Sequence, residues 1–132
     1  MTGDHTLHGG CLCGAVRFEG RAARLDVVNC HCGQCRRFHG HHGAYVTVGR
    51  DGFRLTADGG LAWYDSSAKA RRGFCRVCGS SLFWQGNGHD EISIAAGAVD
   101  QPSGLRTTGH IYVADKADYY EITDGLKQSP RQ

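Results

Sequence analysis

No stretch of the 132 residues approaches the apolar length that crosses a membrane as a helix. The first ten residues, MTGDHTLHGG, have neither a basic start nor an apolar run, so no secretory leader is expected there. No block of five or six like charges occurs, and the arginines are spread along the chain, in pairs such as Arg36–Arg37 and Arg71–Arg72. A basic stripe interleaved with aromatics, the mark of a nucleic-acid binder, is therefore missing, and a nucleic-acid partner is not expected. There is no internal repeat and no low-complexity segment. Helical periodicity is weak.

What is present is an ordinary globular balance, 40% hydrophobic and 21% charged, on a length that suits one domain. Twenty glycines point to tight turns between short strands. Runs rich in β-branched and aromatic residues recur between those turns: Ala15–Glu19, Ala44–Val48, Phe53–Thr56, Leu61–Asp65, Ser81–Trp84, Ile92–Ala95 and His110–Val113. Their recurrence predicts a mainly β chain of antiparallel sheets. One helical turn is expected after Cys32 and another near Ala114–Tyr119. The polar tail after Gly125 is expected to fray.

Seven cysteines fall into three groups: Cys11 and Cys13; Cys30, Cys32 and Cys35; Cys75 and Cys78. An odd count leaves a thiol over in any full disulfide framework. Without a leader the expected compartment is the reducing cytoplasm, where metal binding or catalysis is the better use of thiols. Cys75–Cys78, followed by Gly79, has the spacing of a zinc knuckle, and a structural zinc asks for four ligands. If Cys11 and Cys13 supply the other two, a four-thiol site closes and three thiols remain together. Three ligands leave a position for water or substrate. The alternative for the middle group is a second closed site, completed by His31, His39, His41 or His42. Buried core cysteines are the plainer alternative for either set. With seven thiolates and two zinc ions, the formal +2 of the chain becomes −1, so the basic balance is only apparent.

The runs Gly9-Gly10-Cys11-x-Cys13-Gly14-x-Val16-x-Phe18, Cys30-His31-Cys32-x-x-Cys35-Arg36, Gly73-Phe74-Cys75-x-x-Cys78-Gly79-Ser80-x-Leu82-Phe83 and His110-Ile111-Tyr112-Val113 resemble the glutathione-dependent formaldehyde-activating enzyme family, which includes the centromere protein V type. The resemblance runs from about residue 9 to residue 125. It implies a single zinc-binding domain over 1–132, with a β-tent fold of small antiparallel sheets built around zinc. It implies two zinc ions, a structural one on Cys11, Cys13, Cys75 and Cys78 and a catalytic one on Cys30, Cys32 and Cys35. The activity implied is that of a carbon–sulfur lyase, with a small thiol such as glutathione joined to formaldehyde or another small carbonyl. The run HGHHG at His39–Gly43, and Ala117–Tyr120 where similar proteins often carry a tryptophan, depart from the family pattern.

An ion held by three thiolates is poorly suited to making hydroxide and well suited to a further soft ligand such as a thiol. Arg36, directly after the last cysteine, is a candidate contact for a substrate carboxylate. His39, with His41 and His42, is a candidate for substrate contact or proton relay. His31 is expected to point away from the ion and support it from behind. Trp63, Phe83 and Trp84 read as core or pocket wall, and His110 as a satisfied buried histidine. The competing class is a non-catalytic zinc module that binds a protein or nucleic acid.

Overall fold

The computed structural model describes residues 4–132; the first three residues of the chain, part of the expected leaderless start, lie outside the described residues. In chain order the elements are β1 (His5–Gly10), β2 (Val16–Ala22), β3 (Asp26–Cys30), α1 (Gly33–His39), β4 (Gly43–Gly49), β5 (Phe53–Asp58), β6 (Leu61–Asp65), β7 (Ala70–Cys75), β8 (Ser81–Gly86), β9 (Glu91–Ala95), β10 (Arg106–Ile111) and β11 (Lys127–Gln128). They build a mainly β, tent-like architecture of two sheets. The smaller sheet has the order β1-β2-β5, and the larger β11-β10-β3-β4-β9-β8-β7-β6. Pairing is antiparallel except where β10 lies parallel to β3 and to β11.

Alternation drives this arrangement. In β2 the buried residues are Val16, Phe18, Gly20 and Ala22, with Arg17 and Glu19 between them less buried. Val46 and Val48 of β4 and Ile92 and Ile94 of β9 repeat the pattern across the larger sheet. The two inner faces meet on aromatic rings. Phe18 of the smaller sheet stands edge-on to Phe83 of the larger, with centroids 5.4 Å apart, and Phe53 stands edge-on to Phe83 at 5.3 Å.

The expected turn after Cys32 is α1, stopped by Gly40 in the left-handed region at φ 85°, whose N–H closes back on Arg36 C=O. The turn expected near Ala114–Tyr119 is a 3₁₀ turn over Val113–Asp115. The tail does not fray. Beyond Gly125, Lys127–Gln128 pairs with β10, Ser129 N–H donates to His110 C=O, and Tyr112 N–H donates to Arg131 C=O. The tail has no apolar pattern to announce this. It is held by backbone groups that β10 would otherwise leave without protein partners. Among the described residues no helix is long and apolar enough to cross a membrane.

Candidate metal centres and the hydrogen-bond chains around them

Two turns bring four thiols together. Cys11 and Cys13 follow β1, where Cys11 N–H donates to Val16 C=O and Gly14 N–H to Cys11 C=O. Cys75 ends β7. Its C=O accepts Gly79 N–H at 2.7 Å and its N–H donates to Ser80 C=O at 2.9 Å, folding Cys78 back toward it. The ligand atoms of Cys11, Cys13, Cys75 and Cys78 then lie within 4.8 Å of one another. Ser80 ties the two turns: Leu12 N–H donates to Ser80 Oγ at 3.0 Å, and Ser80 Oγ lies 3.2 Å from Cys78 Sγ. Hydrogen bonding from Ser80 pulls the Cys78 thiol down to about 5.

The second group is local. Cys30 is the last residue of β3, Cys32 caps α1 by accepting Cys35 N–H at 3.4 Å, and Cys35 is buried within the helix. Their sulfurs also lie within 4.8 Å of one another, and among the described residues no histidine nitrogen belongs to either group. The crowding separates their titrations. The Cys30 thiol, ahead of the Arg72 guanidinium, pulls Cys35 down to about 6, while Cys30 itself is pushed up by Cys35 and by burial. Both groups have the all-sulfur donor chemistry that holds a thiophilic divalent ion, so the residues present fit metal binding.

Arg72 of β7 lies behind the three-thiol group, only 3% exposed. Its terminal nitrogens reach Cys35 Sγ at 3.8 and 3.7 Å, Tyr45 OH at 3.1 Å and Gln34 Oε1 at 3.2 Å. Tyr45 OH also lies 2.5 Å from His39 Nε2, so Arg72, Tyr45 and His39 form one hydrogen-bonded chain. His39 Nδ1 is hydrogen-bonded to Ser81 Oγ at 2.9 Å. Burial, with Arg72 nearby, lowers His39 to about 4, which keeps the ring neutral.

A second chain runs on the other side. The Asp124 carboxylate accepts His110 Nε2–H at 2.7 Å, which in a neutral ring leaves His110 Nδ1 as an acceptor. It takes His31 Nε2–H at 2.9 Å, and His31 Nδ1 accepts Tyr120 O–H at 3.0 Å. His31 and His110 are 2% and 5% exposed, and burial lowers His31 to about 4. His42 packs at a tilt between His31 and His41, with centroids at 5.0 and 4.5 Å.

An open cavity of about 470 Å³ is lined by Cys11, Ser80, Ser81, His39, His42 and small residues such as Gly97. It borders the four-thiol group directly, whereas Cys30, Cys32 and Cys35 are not in its wall. Of the two residues assigned to substrate contact from the sequence, His39 is in this wall. Arg36 is half-buried on α1 and forms no side-chain hydrogen bond among the described residues. Phe83 is core, Trp63 packs against the core, and His110 is buried with both nitrogens bonded. Sequence reasoning missed Arg72, Tyr45, Ser80, Tyr120 and Asp124 as parts of these networks. Only Ser80 had a signal, in its place directly after Cys78–Gly79.

A family model described as "Glutathione-dependent formaldehyde-activating enzyme" matches residues 6–115. Among solved structures, the crystal structure of a Rhodobacter sphaeroides protein is similar at a TM-score of 0.64 and 23% identity. The match covers 76% of this chain and 99% of that one, a likeness of fold.

Proposed function

The chain belongs to the glutathione-dependent formaldehyde-activating enzyme family, and from that premise we propose that it is a zinc-dependent carbon–sulfur lyase joining a small thiol to a small carbonyl and catalysing the reverse cleavage. Glutathione and formaldehyde are the pair that the family's description names. The observation that carries the reading is the three-thiol group: three sulfurs within 4.8 Å, with no fourth histidine, cysteine or carboxylate donor grouped with them among the described residues. Cys11, Cys13, Cys75 and Cys78 would hold a structural zinc, and Cys30, Cys32 and Cys35 the catalytic one. Zinc bound by the three thiols supplies a soft position that favours the deprotonated form of a substrate thiol.

The chain's own groups would do the rest. His42, directly before the Gly43 that pairs with Cys30, donates Nδ1–H to Gly43 C=O at 3.4 Å, which leaves Nε2 as a neutral acceptor. Burial holds its pKa below the usual histidine range, so it stays neutral and able to take a proton from an arriving thiol. The same proton returns to the carbonyl oxygen as the C–S bond forms. Arg36, which has no internal partner among the described residues, is free to meet a substrate carboxylate. The cysteine chemistry suits a cytoplasmic setting.

Two measurements on freshly purified protein test this. Metal analysis should find two zinc ions per chain. Cobalt-loaded protein should change its sulfur-to-metal charge-transfer spectrum when glutathione is added at millimolar concentration. No spectral change, or a single ion with Cys30, Cys32 and Cys35 open to alkylation, would refute the enzyme reading in favour of a binding module.

A further inference from the structure

Arg72 lacks the partner that a buried guanidinium normally has. Buried charges are paired, and an unpaired one is costly. Among the described residues, the ion pairs use Asp26, Glu19, Asp100 and Asp124, and none involves Arg72. Its five N–H groups are instead accounted for as follows. Two go to Cys35 Sγ, one to Tyr45 OH and one to Gln34 Oε1, while Nε has no partner. Tyr45 and Gln34 are neutral. Among the described residues, the anion within reach is sulfur.

The three-thiol group has the complementary deficit. Three thiolates around a divalent ion leave one negative charge, in a group whose Cys35 is 3% exposed. Each centre lacks one charge of the sign that the other carries. The fork is also braced from three elements. Gln34 is on α1, Tyr45 on β4, and Arg72 itself on β7, and the Phe38 ring lies 5.3 Å from the guanidinium carbon. A lysine could supply the charge at this place but not the two-pronged contact.

We infer that Arg72 is the positioning residue of the three-thiol centre: its guanidinium fixes Cys35 and balances the net charge of the loaded group, so that metal retention there, and not at the four-thiol group, depends on it. This rests on the reading that Cys30, Cys32 and Cys35 hold an ion. Removing a group that orients a metal ligand typically weakens metal binding by about 10- to 100-fold.

The test is chelator competition on the cobalt- and zinc-loaded full chain, comparing wild type with Arg72→Met and Arg72→Lys. Methionine keeps the length and suits a buried place. Lysine keeps the charge without the fork. The four-thiol group, whose Cys75 is on the same strand as Arg72, serves as the internal control. Wild type should release its two ions in two phases. Arg72→Met should weaken one phase by about 10- to 100-fold and leave the other unchanged, with Arg72→Lys between them. Two phases unshifted in Arg72→Met would overturn the inference alone. Both phases shifting together would also overturn it, because general loosening explains that result. A wild-type chain that holds a single ion would overturn the underlying reading, and this inference with it.

Discussion

Substituting Gly60 by alanine should damage the four-thiol group selectively, and Gly59, its neighbour, supplies the control. The two glycines form the whole connection between β5 of the smaller sheet and β6 of the larger. Neither has positive φ, so alanine is compatible with the backbone at both places. Gly59 is exposed, and a Cβ there would meet nothing nearer than Ala15 O at 3.9 Å. Gly60 is buried, and its Cβ would lie 2.7 Å from Cys75 Sγ and 3.0 Å from Ala15 Cβ. The sulfur is fully enclosed and must shift. Overpacking of this kind costs about 1–3 kcal/mol, offset by the roughly 0.4–1 kcal/mol that Gly→Ala gains by restricting the unfolded chain. Gly60→Ala should therefore lose about 1–2 kcal/mol net. That is a fall in Tm of roughly 4–8 °C for a chain of this size, whereas Gly59→Ala should be neutral or slightly stabilised. Thermal unfolding followed by circular dichroism gives the first readout. The second is chelator-driven metal release, in which the phase belonging to the four-thiol group should quicken only in Gly60→Ala. If the two variants unfold and release metal alike, the steric reasoning is wrong.

Phe83→Ala, which empties the centre of the ring cluster with Phe18 and Phe53, should cost about 3–5 kcal/mol in urea unfolding. His110→Ala strands the His31 Nε2–H in the interior, and a loss of about 1–3 kcal/mol is expected by the same assay. Acid should destabilise the protein through His31 and His39, each lowered from 6.5 to about 4. Between those pH values the unfolded chain takes up the protons and the folded one does not, so stability is full above pH 6.5 and falls toward pH 4. Urea midpoints across that range should fall less steeply in His39→Gln than in wild type. Truncation after Gly125 removes β11 and the bonds to His110 and Tyr112, and should lower Tm measurably; an unchanged Tm would show the pairing to be inconsequential.

The strands that announced themselves were those with period-two patterning and their own turns. Leu61–Asp65 is β6 as read, and β4, β8 and β9 agree within two residues. β1 was illegible because only Leu7 and Gly9 of HTLHGG are buried. β7 was hidden by its two arginines. The cysteine groups were visible because their spacing is local, although which groups meet across the chain rested on counting and resemblance. Arg72 was invisible for a geometric reason. It is three residues from Cys75, which strict alternation puts on opposite faces. The irregularity between Gly73 and Phe74 restores both to the interior. The parallel pairing of β3 with β10, and the contact of Tyr120 with His31, depend on partners some eighty or more residues away, beyond any local pattern.

The two thiol groups also differ in when they can exist. Cys13 and Cys75, 62 residues apart, meet only after that loop has closed, whereas Cys30 and Cys35 are neighbours from the start. The difference in closure entropy is about 2 kcal/mol. On a ribosome, which delivers the N-terminus first, Cys30, Cys32 and Cys35 are all present while Cys78 is still unsynthesised. Cys11 and Cys13 emerge earlier and wait without their partners. A thiophilic ion that arrives during synthesis therefore finds the three-thiol group first, and Cys11 and Cys13 are its competitors until β7 is made. The order of filling is written in the order of the chain, and a circular permutant that brought Cys75 and Cys78 out first would change it.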